Sequence, residues 1–86
     1  MRYRIFLARA AQKFLSRLTD GSQRARFERV INSLGENPRP PGCQPLHGMR
    51  GAYRLRVGGY RVLYQIETDR MLVLVTDIGS RGQIYR

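Results

Sequence analysis

Apolar residues recur along this chain at two different periods, and the change of period divides it. Ala11, Phe14, Leu15 and Leu18 stand at i, i+3, i+4 and i+7, with Arg9, Lys13 and Arg17 off that stripe. The spacing predicts an amphipathic helix over roughly residues 8–18. Thr19, Asp20, Gly21 and Ser22 then supply turn residues and N-cap candidates. A second stripe, Phe27, Val30, Ile31 and Leu34, excludes Arg24, Arg26 and Arg29 and predicts a second helix. Gly35 and Pro38 end it, because a flexible residue near the C-cap is followed by one that cannot continue a helix. Two helices joined by so short a turn form an antiparallel hairpin.

A short strand is expected before them, around Tyr3 to Leu7, and a proline-rich loop after them, from Pro38 to Pro45. Beyond that loop the period falls to two. Strands are predicted near Ala52–Val57, Tyr60–Glu67 and Met71–Ile78. Gly58-Gly59 is a strong hairpin turn between the first two; Thr68-Asp69 is a weaker one before the third. Tyr53, Leu55, Val57, Tyr60, Val62, Tyr64 and Ile66 share one face, which the helix stripes need as a partner. Met71 to Val75 is apolar on both sides, as in a strand buried on both faces. The expected fold is α+β: an N-terminal strand and an antiparallel two-helix hairpin packed on one face of a small, mainly antiparallel sheet. At 86 residues the chain is read as one domain, residues 1–86.

The Gly-Gly turn also fixes a register. Val57 then faces Tyr60, and Arg56 sits directly opposite Arg61. Like charges opposite each other destabilise a sheet, so folding supplies no reason for the pair, whereas a visiting anion would. Arg54, Arg56 and Arg61 share their face with Leu63, Leu72 and Leu74. A patch half basic and half apolar points to a cover, either a polypeptide partner or the chain's own loop or C-terminus.

Charge sharpens this reading. Sixteen basic residues stand against six acidic ones, a formal net charge of +10, and Lys13 is the only lysine. Arginine suits forked contact with phosphate and stacking on bases, although an arginine-rich codon bias would give the same preference. The net charge itself implies a polyanionic partner, with nucleic acid foremost. Cys43 is the sole cysteine, so no internal disulfide forms, which fits a reducing cytosol. The apolar N-terminal run is too short for a signal peptide, and no apolar stretch is long enough to span a bilayer. A cytoplasmic protein without a membrane association is expected.

Composition excludes several chemistries. One His, one Cys and scattered Asp20, Glu28, Glu36, Glu67, Asp69 and Asp77 provide no metal-ligand cluster. They offer no carboxylate pair and argue against a Ser/His/Asp triad. Gly58-Gly59 joins two strands, so it is not a phosphate loop leading into a helix; no cofactor is implied. His47 could act as an acid or base, but nothing in the sequence aims it at the basic face. Arginine and tyrosine remain, and they suit phosphate chemistry. When a ribose 2′-hydroxyl attacks the adjacent phosphate, fixed guanidinium groups stabilise the growing charge. Arginine gives up its proton too reluctantly to be a good base. Tyrosine, with an ordinary pKa of about 10, can serve only where cations favour its phenolate. Such a set is a weak nuclease unless its substrate is positioned for it.

The helical hairpin, the segment Leu46 to Val57, Gly59-Tyr60-Arg61-Val62-Leu63-Tyr64 and the C-terminal Ile78 to Arg86 together resemble the RelE toxins of the RelE/ParE superfamily. The resemblance covers nearly the whole chain; the Gly-Tyr-Arg-Val-x-Tyr core with a terminal Gly-x-Arg and Tyr is its most specific part. It implies a ribosome-dependent endoribonuclease that cleaves mRNA in the A site of the 70S ribosome. By position, Arg54 and Arg56 resemble the family's paired substrate-binding basic residues, and Arg61 its phosphate-binding arginine. Arg81 resembles the arginine that stabilises the transition state, and Tyr85 the tyrosine that orients the 2′-hydroxyl or moves a proton. Family members often carry lysine at the Arg54 and Arg56 positions, and many carry histidine or lysine at Ser80. The resemblance also implies a RelB-like antitoxin whose acidic segment wraps the toxin and through which the pair binds operator DNA. A ParE-like toxin that inhibits DNA gyrase shares the fold, but that branch generally lacks the Arg81 and Tyr85 pair. A small RNA-binding protein without activity would need exposed stacking aromatics, whereas Tyr53, Tyr60 and Tyr64 fall on the expected core face.

Overall fold

The structure, a computed structural model, describes residues 2–80. In chain order the elements are β1 (Arg4–Leu7), α1 (Arg9–Ser16), α2 (Gly21–Ser33), β2 (Gln44–Pro45), β3 (Ala52–Val57), β4 (Tyr60–Glu67) and β5 (Leu72–Ser80). The strands form one sheet in the order β1-β5-β4-β3-β2. β1 runs parallel to β5, and every other pairing is antiparallel. This is the α+β arrangement that the periodicity predicted.

Local chemistry explains the element ends. The Asp20 carboxylate caps α2 by accepting from the backbone N–H of Ser22 at 2.9 Å and of Gln23 at 3.2 Å, and from the Ser22 hydroxyl at 2.7 Å. The Ser22 hydroxyl and these two amides hold its carboxyl below the usual carboxylate range. α1 has no side-chain cap, and instead Gln12 Nε2 donates to the Leu7 carbonyl at 2.8 Å, tying the helix to the end of β1. α1 stops two residues earlier than its apolar stripe, yet Leu18 still packs against the core. β5 starts at Leu72 instead of Met71. Met71 closes the preceding 3₁₀ turn with a left-handed backbone, φ 52°, a conformation that a strand residue does not adopt.

The core lies between the helices and one sheet face. Phe14, Phe27 and Tyr60 meet edge-to-face with ring centroids 5.5–5.6 Å apart, a favoured aromatic geometry. Phe27, Leu34, Val62, Tyr64, Val73 and Val75 are fully enclosed. On the opposite face of β5, Leu72 and Leu74 are half-buried, so the strand is not equally covered on its two sides. β2 is an element that the periodicity did not predict. It adds a fifth strand at the sheet edge, where Pro45 is tolerated because an edge position need not donate on both sides.

Tyr64 joins core to loop. Its ring stacks on Tyr53 with centroids 5.9 Å apart, and its hydroxyl donates to the Pro38 carbonyl at 2.8 Å. Burial, and after it the neighbouring Cys43 thiol, pushes its ionisation well above that of an exposed tyrosine. The unfolded chain therefore loses this proton at lower pH than the native state. The Tyr64 contribution is present below a pH of about 10 and fades as the pH rises beyond it. Alkaline spectrophotometric titration of the native protein will leave the Tyr64 phenol un-ionised until the chain unfolds, and Tyr64→Phe will remove that late signal. The same substitution will cost about 1 kcal/mol in urea denaturation at neutral pH, for the lost hydrogen bond.

Candidate nucleic-acid interface

Strand alternation assembles the site. In the β3–β4 hairpin Val57 pairs with Tyr60 and Arg56 with Arg61, so the expected register is present and the two guanidinium-bearing positions share one face. Gly58 takes φ 62° at the first central position of the turn, as a type II′ hairpin requires. A side chain there would also meet the Arg26 guanidinium, 3.3 Å from an added Cβ.

Arg54, Arg56 and Arg61 line one cleft of about 340 Å³ together with Gly42 and Gln44. Their burial is graded. Arg61 is only 7 % exposed, the one buried charged side chain among the described residues. Arg54 is half-buried and Arg56 exposed. β2 matters here: Gln44 pairs with Arg54 across the strands, and its Oε1 accepts from Arg54 Nη2. Gly79 of β5 is the register partner of Arg61. Asp77 pairs with Leu63 and so falls on the same sheet face, where its Oδ1 accepts from the Ile78 N–H at 2.8 Å.

Among the described residues lining the cleft none is acidic. A concave site with one sign of charge focuses field on an anion, and guanidinium forks match phosphate oxygens. Burial of Arg61 strengthens its part of that field, because fewer waters screen it. Three of the five predicted site residues are thus brought together. Arg81 and Tyr85 lie outside the described residues. His47 is exposed and does not line the cleft, and Ser80 ends β5 opposite Tyr60. Cys43 is half-buried on the core side, near Tyr64. Among the described residues no group of three or more His, Cys, Asp or Glu side chains gathers to hold a metal ion. Gln44 and Gly42 were missed by sequence reasoning. Both sit in the proline-rich loop, where no periodicity marks a strand.

Comparison with known proteins gives a consistent assignment. The family of the ParE toxin of type II toxin–antitoxin systems, parDE, matches residues 5–85. The chain is 30% identical over 84 residues to toxin RelE of Mycobacterium tuberculosis H37Rv, covering 98% of this chain and 87% of that one. It is 27% identical over 86 residues to toxin RelG of the same organism, covering 100% and 99%. Among solved structures it is similar to the archaeal RelE–RelB complex from Pyrococcus horikoshii, with a TM-score of 0.83 at 26% identity over 96% of this chain and 99% of that one. It is also similar to the intact Escherichia coli RelBE toxin–antitoxin complex, with a TM-score of 0.76 at 28% identity over 91% and 95%.

The opposed arginines predict a measurable cost. Arg56→Thr will raise the stability of the isolated protein by about 0.2–1 kcal/mol, since it removes a like-charge cross-strand pair and restores a good strand former. Urea denaturation at low ionic strength measures this, and the gain will shrink as salt screens the exposed Arg56.

Proposed function

The chain belongs to the RelE/ParE toxins of type II toxin–antitoxin systems, as a toxin of RelE type, and we propose that it is a ribosome-dependent endoribonuclease. In this reading it cleaves mRNA in the ribosomal A site by metal-independent attack of a ribose 2′-hydroxyl. The observation that carries the proposal is the convergence of Arg54, Arg56 and buried Arg61 on one cleft.

The chemistry follows from charge. The 2′-oxygen forms a bond to phosphorus while the bond to the 5′-oxygen of the next nucleotide breaks, leaving a cyclic phosphate and a 5′-hydroxyl. Negative charge grows on the phosphoryl oxygens and on the leaving oxygen. Arg61, held rigid by burial in the sheet, is assigned to the scissile phosphate. Arg54 and Arg56, on the more open rim, are assigned to the neighbouring backbone. Arg81 and Tyr85 are assigned by their positions in the C-terminal motif, Arg81 to the transition-state charge and Tyr85 to the 2′-hydroxyl and its proton. None of these groups is a comfortable base at neutral pH. The rate therefore depends on a larger partner that holds the message in line for attack, and the ribosome is that partner.

The partner proposed off the ribosome is a RelB-like antitoxin, supported by the RelE–RelB complexes that this fold matches. An acidic segment laid across the arginine face would neutralise the cleft and deny it to RNA, and the complex would reach operator DNA through the antitoxin. No described helix is long and apolar enough to cross a membrane, and action in the cytoplasm follows from the substrate. A gyrase-directed activity is the second reading, favoured by the ParE family match; it gives the arginine cleft no task.

Inducible expression in bacteria, with mapping of mRNA 5′ ends, separates the two. The endonuclease reading predicts codon-positioned cuts within translated regions. Arg61→Ala will lower cleavage on the order of a hundredfold or more, the usual loss for a preorganised transition-state donor, and Tyr85→Phe will abolish the cuts. Growth arrest with intact mRNA and blocked DNA supercoiling would replace this reading with the gyrase one.

A further inference from the structure

The two-residue strand β2 has no evident value as a packing element, since both of its residues are exposed. What it does is place Gln44 directly across from Arg54, at the wall of the arginine cleft. Arginine carries only donors, so the Gln44 atom that meets Arg54 Nη2 is the carbonyl oxygen, Oε1. The Nε2 end of the same amide then brings two further donors to that wall.

The choice of acceptor is informative. A carboxylate at position 44 would hold the Arg54 fork more strongly, in a bidentate, charge-assisted pair. It would also cancel one positive charge in a cleft that opposes Arg56 to Arg61, and so relieve repulsion in the sheet. Both effects favour folding, yet the residue present is neutral. An amide fixes the guanidinium's direction and leaves the cleft's charge intact. Folding stability does not call for that combination, but capture of a phosphodiester does.

We propose that Gln44 is a positioning residue for the RNA backbone: it aims Arg54 into the cleft through a neutral acceptor, so that the site is ordered without being quenched. The inference rests on the reading of the cleft as an RNA site. It makes residue 44, through Arg54, a determinant of how tightly the message is held, while the reacting phosphate remains with Arg61.

The test is binding of a short, fluorescein-labelled single-stranded RNA, 2′-O-methylated so that it is not cleaved, to the full chain over a range of salt concentrations. Gln44→Glu is expected to weaken binding about tenfold at low salt and to reduce the slope of log affinity against log salt by roughly 0.7, the value for one phosphate contact on a single strand. Gln44→Met keeps the stem and removes the acceptor; it is expected to weaken binding about threefold with the slope unchanged. A structural role alone would move the melting temperature in both variants but not the salt slope. Wild-type affinity and slope in Gln44→Glu would overturn the proposal, and so would wild-type affinity in Gln44→Met, which also decides the matter should the Glu variant fail to fold. Arg56→Ala distinguishes the two levels. If it binds as the wild type does, the RNA reading of the cleft fails; if it binds weakly while residue 44 has no effect, only the role of Gln44 fails.

Discussion

Everything at the candidate site depends on one unfavourable contact, the pairing of Arg56 with Arg61 across a two-glycine hairpin. The turn sets that register. With Gly58 at positive φ, the strands leave it in step, and Arg56 has no other position to occupy while Val57 and Tyr60 face the helices. The core enforces the repulsion: Val57 and Val62 are buried under the helices, and Tyr60 packs against Phe14 and Phe27. A one-residue slip that separated the arginines would turn that entire apolar set outward. The loss of burial, about 1.5–3 kcal/mol for each large side chain, far exceeds the fraction of a kcal/mol that like charges cost. Packing therefore wins, and the sheet holds Arg56 and Arg61 opposite each other on the cleft face despite their like charge.

Sheet order then grades those cations. β4 is flanked by β3 and β5, so Arg61 is nearly enclosed while Arg56, on the outer strand of the hairpin, stays open to solvent. A buried charge persists only among polar partners, which makes Arg61 the fixed member of the cleft and the apt one for charge that develops during a reaction. Arg54 lies between the two in burial and is aimed by Gln44. The Asp20 cap, the aromatic trio and the Tyr64 tie to Pro38 act at a distance from this chemistry. They keep the helices on the far face, so that the arginine face remains a surface for partners.

Much of this was legible in the residues. Two helical stripes, two alternating strands, a third strand apolar on both sides and the Arg56–Arg61 register all followed from apolar pattern and turn chemistry. β2 was not legible. Two residues are too few to show alternation, and Pro45 argues against a strand wherever the edge position is unknown. Gln44 and Gly42 went with it, since their membership of the cleft arises from tertiary pairing with β3. The graded burial of the arginines was equally hidden: it depends on Arg61 lying on a strand flanked on both sides, by β3 and β5, and on how far β2 covers β3, which only tertiary pairing decides. The left-handed Met71 shifted one strand boundary for the same reason, a turn whose geometry no residue type announced. Arg81 and Tyr85 were singled out through the family motif alone, and their place in the site rests on that motif.

The repulsion that packing imposes between Arg56 and Arg61 is directly measurable. A double-mutant cycle on Arg56→Gln and Arg61→Gln, followed by urea denaturation of the free protein at low ionic strength, isolates that pairwise contribution from whatever else each side chain does. A repulsive coupling of about 0.5 kcal/mol is expected, present without ligand and abolished when non-cleavable RNA occupies the cleft. Additive single substitutions in the free protein, or an attractive coupling, would contradict it.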